Sequence, residues 1–182
     1  MALTTFQGPV RSLGGFYSQG PNSVLDITAD GAVGGTVLTP ADHAGRLILI
    51  NNSTLTFILP TISAAADGAG SGPGSDPNTL NNVGATYNFL FLGTSGVSTT
   101  IKMTTATNLL IGSVTAGKAG LGAVHVWEPN GSTDNAIVVN GTTTGGVAGS
   151  YVSITAVYAN KYLVQGTMLG TSTLATPFTA VP

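Results

Sequence analysis

Short apolar segments separated by turn residues run along most of the chain, and they predict β-strands. Each segment has three to eight residues, and most are flanked on at least one side by Gly, Asn, Ser or Pro. Segments of this kind at roughly ten-residue spacing, with no helical period between them, are typical of all-β folds. The predicted strands are Val24–Thr28, Thr36–Leu38, Leu47–Ile50, Leu55–Leu59, Tyr87–Leu92, Thr100–Met103, Leu109–Ile111, Ala123–Trp127, Ala136–Val139, Tyr151–Val157 and Tyr162–Leu169. We therefore expect an antiparallel β-sandwich or barrel of about ten short strands.

The same pattern predicts two turns. The segment Asn51–Thr54 separates two apolar runs and predicts a β-hairpin. Pro60 is expected to end the second strand of that hairpin, because proline has no N–H to donate to a neighbouring strand. The segment Ala159–Lys161 predicts the turn between the last two strands, where Asn160 tolerates a positive φ angle.

The two ends of the chain differ from this strand-rich body, which we place at residues 24–170. Residues 1–23 show no sustained period and predict an extended N-terminal arm, with a flexible terminus as the alternative. Residues 171–182 are Thr-rich and predict a C-terminal tail that could reach a neighbouring molecule. Residues 64–82, rich in Gly, Ala, Ser and Pro, predict a long exposed loop. The candidate contact residues of the arm and tail are Phe6, Val10, Leu13, Phe16, Tyr17 and Phe178.

The chain carries few charges, which limits the partners it can have. Its 182 residues include five Lys or Arg and seven Asp or Glu, which is 7% of the chain, where about 25% is usual. Polarity comes instead from 26 Gly, 27 Thr and 14 Ser, which favour strands and turns over helices. The net charge of −2 argues against a nucleic-acid partner, because phosphates require a basic surface. The absence of Cys excludes disulfides and thiol chemistry.

The mean hydropathy is positive, at +0.35, although the chain contains no long apolar run. The longest strongly apolar runs, Leu47–Ile50 among them, have only four residues, far shorter than the roughly 18 residues of a membrane helix, so no membrane partner is expected. The N-terminus lacks the basic start and apolar stretch of a signal peptide, which predicts synthesis and assembly in a cytoplasm. Because a weakly charged apolar surface tends to aggregate, we expect partner proteins to cover much of it.

One segment matches a phosphate-binding motif. Gly112–Ala119 follows the P-loop pattern at every position but the last, where Ala119 stands in place of the Ser or Thr that binds magnesium. The residues that follow are rich in Gly and then strand-like, so no helix N-terminus is available to receive a phosphate. We therefore interpret the segment as a Gly-rich loop between strands.

The ionisable residues show no spacing that predicts catalysis. Asp42 and His43 lie in a predicted turn, where Asp side chains hydrogen-bond locally. His125 lies in a predicted strand beside Trp127, so packing on a sheet surface is expected. A carbohydrate platform built from Trp127 and tyrosines is an alternative. We expect the protein not to be an enzyme.

Two further patterns are interpreted as structural. Asp26 and Asp30 lack the ligand density of a calcium loop, and no metal or cofactor is expected. Four Asn-x-Ser/Thr triplets are interpreted as turns, because Asn, Ser and Thr are abundant in the chain. These triplets begin at Asn51, Asn52, Asn130 and Asn140.

Three parts of the sequence resemble the small virion proteins that decorate the head shell of tailed bacteriophages, known as decoration or cement proteins. They are Phe6–Phe16, with its Phe-x-Gly-Pro-Val start; Ile48–Pro60, followed by Gly84–Phe89; and Ile137–Val147, continued by Tyr162–Gly166 and Gly170–Phe178. The third is the most specific. The chain departs from the family pattern at residues 64–82, where a short connection is expected, which suggests an inserted loop.

The resemblance implies a β-rich, non-enzymatic protein on the outer surface of the virion, made in the cytoplasm of the bacterial host. It implies a homotrimer that binds the major capsid protein and cements neighbouring capsid subunits. An alternative is a head-fibre or tail-associated adhesin that binds host-surface glycans through residues 64–82 and exposed aromatic residues. A third possibility, a glycan hydrolase, requires paired carboxylates in a cleft, whereas the carboxylates here fall in turn-like segments.

Overall fold

The computed structural model shows two β-sheets packed face to face. It describes residues 24–27, 34–51, 54–62, 82–93, 98–118, 121–158 and 160–181. The predicted arm 1–23 and the predicted loop up to residue 81 lie outside the described residues. So do five of the candidate contact residues, namely Phe6, Val10, Leu13, Phe16 and Tyr17.

Twelve strands and one single-turn helix make up the described part of the chain. In chain order they are β1 (Val24–Ile27), β2 (Thr36–Val37), α1 (Pro40–His43), β3 (Leu47–Ile50), β4 (Thr56–Leu59), β5 (Thr86–Phe91), β6 (Thr99–Met103), β7 (Leu109–Lys118), β8 (Leu121–Trp127), β9 (Ala136–Val139), β10 (Tyr151–Tyr158), β11 (Lys161–Gly170) and β12 (Phe178–Thr179). All eleven predicted strands are present, β3 and β9 with the predicted ends and the others with shifted ends, and α1 and β12 are additional. The all-β fold class is confirmed.

The strands form a seven-stranded sheet, in the order β1-β3-β5-β10-β11-β7-β8, and a five-stranded sheet, in the order β12-β9-β6-β4-β2. From β1 to β6 the chain alternates between the two sheets, so neighbouring strands from this half run parallel. The later strands add antiparallel pairs, such as β10 with β11 and β7 with β8. The sheets are therefore mixed, whereas the sequence pattern favoured antiparallel strands throughout.

The predicted hairpin at Asn51–Thr54 is wrong, because β3 and β4 lie in different sheets. Both strands alternate buried and partly exposed residues, and they face the same core from opposite sides. Thr54 adopts a φ of 76° where the chain passes from one sheet to the other. The predicted turn between β10 and β11 is confirmed, with Asn160 at a φ of 63°.

The core lies between the sheets and contains one apolar face from each. Contact across it is direct, since the rings of Phe57 on β4 and Phe89 on β5 have centroids 5.4 Å apart at an interplanar angle of 58°. A polar link crosses the same space, where the Tyr162 hydroxyl of β11 donates to the Pro60 carbonyl oxygen at 2.6 Å. Tilted aromatic pairs of this kind contribute packing energy beyond the burial of their area.

The C-terminal tail belongs to the five-stranded sheet. β12 pairs antiparallel with β9, and Phe178 is only 5% exposed. The Asn135 side chain exchanges two hydrogen bonds of 2.8 Å with the backbone of Val181. In the single chain the ring of Phe178 therefore packs in its own core. This differs from the expectation of an outward-facing anchor in a tail that reaches a neighbour.

Candidate interaction surfaces

Residues 112–118 of the P-loop-like segment lie in a strand and not in a loop, and Ala119 lies outside the described residues. β7 runs through residues 112–118 and pairs residue by residue with β11, from Gly112 opposite Val164 to Lys118 opposite Gly170. Gly112 has a φ of +100°, and a Cβ placed on it would collide with the Val164 carbonyl oxygen. The interpretation as a connecting loop is wrong, because sheet pairing engages the backbone that a phosphate loop needs. The approach of β11 explains why residue 112 is a glycine.

Asp42 and His43 make local contacts, as the sequence predicted. The Thr39 hydroxyl donates to a carboxylate oxygen of Asp42 at 2.7 Å, and the Asp42 N–H donates back to that hydroxyl at 3.2 Å. The Thr39 N–H donates to His43 Nδ1 at 2.9 Å. These bonds cap α1, a single helical turn, and engage both side chains in backbone structure.

Of the second acidic pair, Asp26 and Asp30, only Asp26 lies within the described residues. Asp26 accepts two bonds of 3.2 Å from the Asn51 amide. Within the ranges that the structure describes, no three His, Cys, Asp or Glu side chains come together as a metal site. The four-residue α1, the one helix of those ranges, is too short to cross a membrane.

Asn130 and Asn140 build two copies of one turn. The Oδ1 of Asn140 accepts from the N–H groups of Thr142, Thr143 and Thr144, and its amide donates to the Thr143 hydroxyl. Asn130 makes the equivalent four contacts. Its Oδ1 accepts from the N–H groups of Ser132, Thr133 and Asp134, and its amide donates to the Thr133 hydroxyl. In both copies the next residue is a glycine at a φ of 70°. The interpretation of these Asn residues as turn formers is confirmed, and Asn52 lies outside the described residues.

Two tyrosines, Tyr87 and Tyr162, lie in the core. Burial raises the pKa of Tyr87 from its ordinary 10.0 to about 12. Burial, and secondarily the neighbouring Tyr87, raise the pKa of Tyr162 above its usual range. The Tyr87 hydroxyl is buried and has no hydrogen-bond partner. Both phenols therefore stay protonated at neutral pH and act as packing groups.

The outer face of the seven-stranded sheet carries a largely apolar surface, with Asp26 opposite Leu49 and Asn88 opposite Leu47, that we name the leucine patch. Alternation places these side chains outward, because their neighbours along β3, β5 and β10 are buried in the core. Register makes them adjacent, with Leu49 opposite Leu90 and Leu90 opposite Tyr151. The patch consists of Val24, Leu47, Leu49, Leu90, Leu92 and Tyr151. Val24, Leu92 and Tyr151 remain 41%, 43% and 37% exposed.

At the opposite end of this sheet, β8 forms an edge. Val124 and Val126 point outward and are 64% and 62% exposed. His125 and Trp127 point to the other face, and their rings stack with centroids 5.7 Å apart at 11°. The expected packing of His125 at a sheet surface is confirmed. A sugar would stack on a face of the Trp127 indole, and the His125 ring occupies one of its two faces.

Comparison with known proteins finds no relative of this chain. No protein-family model, curated protein or solved structure matches the chain.

Proposed function

We propose that this chain is a structural virion protein that binds the outer surface of a bacteriophage capsid shell. It cements neighbouring capsid subunits and so stabilises the DNA-filled head, without catalysis and without a cofactor. The leucine patch is the observation that carries the proposal. It is an apolar face on a protein with 7% charged residues, and it lies on a sheet, which makes it broad and shallow.

The shape and chemistry of the patch favour a protein partner over a small ligand. Small molecules bind in concave pockets that enclose most of their surface. A flat apolar area of several neighbouring side chains is typical of a protein–protein contact. The patch leucines are already partly buried in the single chain, so covering each contributes only part of the roughly 1.5–3 kcal/mol that full burial of an exposed leucine provides. A few such side chains suffice for a contact that is repeated many times over a shell.

The position of the patch agrees with the role proposed for the N-terminal arm. Val24 belongs to the patch and begins β1, so residues 1–23 join the body next to it. An arm with apolar anchors and the leucine patch would together form one continuous contact with the major capsid protein. The homotrimer and the virion location implied by the family resemblance are part of the same proposal.

A charge placed in the patch tests this proposal. Leu92→Lys puts an ammonium group on the outer face of the seven-stranded sheet, and we expect binding to expanded phage heads to weaken at least about tenfold. Val37→Lys is the matched control, since Val37 is 59% exposed but lies on β2 in the other sheet. Binding would be measured by co-sedimentation, after denaturant unfolding has shown both variants to be folded. Equal binding by Leu92→Lys and the wild type would contradict the role of the patch.

A further inference from the structure

The four edges of the two sheets differ in how they are protected against pairing with another chain. β2 and β12 have only two residues each, and β1 has four with Asp26 among them. Short strands and charged side chains are the means by which proteins block open edges. β8 has seven residues, Leu-Gly-Ala-Val-His-Val-Trp, without Lys, Arg, Asp, Glu or Pro. It is the one edge of the described sheets that lacks these protections.

We propose that the β8 edge pairs with the β8 edge of a second copy of this chain. The two strands run antiparallel about a two-fold axis, and the two seven-stranded sheets become one continuous sheet. The contact is isologous, which is the commonest form of symmetric association. It pairs the backbone groups along the outer side of β8 and places Val124 of one copy against Val124 of the other. Val124 is 64% exposed in the single chain.

The charges at the two ends of β8 favour a second copy as the partner. Lys118 is the last residue of β7 and is in register with Leu121, the first residue of β8, so it lies one strand in from the edge. Glu128 follows Trp127 at the far end and is exposed. The seven residues of β8 separate the two ends by about 23 Å, so the two charges cannot pair within one molecule. In an antiparallel pair, each Lys118 end lies beside the Glu128 end of the other copy.

The same charges select the direction of pairing. Parallel strands would place Lys118 beside Lys118 and Glu128 beside Glu128, which is repulsive at both ends. Antiparallel strands form two opposite-charge contacts by symmetry. Each is a surface contact of modest strength, so the pair of contacts sets the orientation, while backbone pairing and the valines supply the association.

Single cysteines provide a direct test, because the chain has no Cys of its own. In a fully overlapped antiparallel pair, Val124 is at the centre and lies opposite itself, with Cα atoms at about 4.5–5.5 Å, within reach of a disulfide. We expect Val124→Cys to yield a disulfide-linked dimer under mild oxidation, while Val37→Cys, similarly exposed on the other sheet, forms no disulfide-linked dimer. His125→Cys and Val126→Cys test arrangements in which the two-fold axis lies one or two residues further along β8. If none of the three links above the Val37→Cys control, the inference is overturned.

Charge exchange provides a second test. If Lys118 and Glu128 only stabilise the fold of the single chain, mixing two variants of opposite charge will not restore dimer formation. Lys118→Glu and Glu128→Lys each turn both contacts repulsive, and we expect each to weaken dimer formation by about tenfold. A mixture of the two variants restores both contacts between unlike copies and should recover the dimer, as should the double variant. The mass would be followed by sedimentation against the 18.1 kDa monomer. Failure of the mixture to recover the dimer would overturn the antiparallel arrangement.

This inference is independent of the proposed capsid binding, because both tests use the purified protein without heads. A two-fold contact also differs from the three-fold assembly that the family resemblance implies, which would need another surface. A trimer whose cysteine variants do not cross-link overturns the β8 contact and leaves the capsid proposal standing. A cross-linked dimer that does not bind heads supports the β8 contact and contradicts the capsid proposal.

Discussion

At the residue scale, two glycines of the P-loop-like motif have different structural roles. Gly112 requires a positive φ and a close approach to the Val164 carbonyl oxygen, whereas a Cβ on Gly117 would make only an ordinary contact with Leu169, at 3.7 Å. We expect Gly112→Ala to lower the free energy of unfolding by about 2 kcal/mol or more. Gly117→Ala, the matched control, should cost far less. Urea unfolding measures both, and equal losses would contradict a sheet-based role for Gly112.

The two core tyrosines differ in the same way. The Tyr162 hydroxyl donates to the Pro60 carbonyl oxygen, whereas the Tyr87 hydroxyl is buried without a partner. Tyr162→Phe should therefore cost about 1 kcal/mol of stability, and Tyr87→Phe should be neutral or stabilising. Denaturant unfolding at neutral pH gives both values. A loss for Tyr87→Phe as large as for Tyr162→Phe would mean that the Tyr87 hydroxyl has a partner.

The raised pKa of Tyr87 adds an alkaline signature to this pair. The unfolded chain releases the phenolic proton near pH 10, while the folded protein holds it to about 12. The contribution is fully present below pH 10 and is lost as the pH rises from 10 to 12, because the unfolded state then binds fewer protons. Tyr87→Phe should flatten the fall of stability in this window. An unchanged slope would contradict the burial of the Tyr87 phenol.

Local chemistry made the residue scale the most predictable. Asn160 and the turns at Asn130 and Asn140 follow from side chains that hydrogen-bond to the nearby backbone or tolerate positive φ, which sequence alone displays. The unpaired hydroxyl of Tyr87 could not be predicted, since it depends on what the opposite sheet places against it. The same holds for Gly112, whose need for glycine comes from β11.

At the element scale, the strands could be predicted but their partners could not. Two apolar segments separated by Asn51–Thr54 have the local features of a hairpin. However, β3 pairs with β1 and β5, and β4 pairs with β2 and β6. Val24 pairs with Leu47, 23 residues later, whereas Leu47 pairs with Asn88, 41 residues later. Apolar periodicity reports which face is buried but not which sheet a strand joins.

The tail shows the same limit and gives a prediction. A Thr-rich segment with Pro177 and one aromatic residue suggested an external arm, but β12 pairs with β9 and buries Phe178. Phe178→Ala should therefore lower the free energy of unfolding of the isolated protein by about 3–5 kcal/mol. Thr173→Ala, at an exposed position of the same tail, is the control and should change little. Unchanged stability with lost head binding would instead make Phe178 an external anchor.

At the scale of the whole molecule, low charge and the placement of apolar side chains belong together. A chain with 7% charged residues displays a leucine patch at one end of its seven-stranded sheet and the exposed valines of β8 at the other. Both surfaces gain by being covered, and repeated contacts on a shell make modest contacts effective. The sequence predicted a covered surface from its composition. It could not place that surface, because the outward faces depend on which strands become neighbours.

The most direct test is to count the copies bound to a capsid. Purified protein would be co-sedimented with expanded heads of its own phage prepared without it, and bound copies per head would be measured as the concentration rises. We expect saturation at a number set by the capsid lattice, with weaker binding by Leu92→Lys and unchanged binding by Val37→Lys. Folded protein that stays in the supernatant at every concentration would contradict it and favour host-surface glycans as the partner.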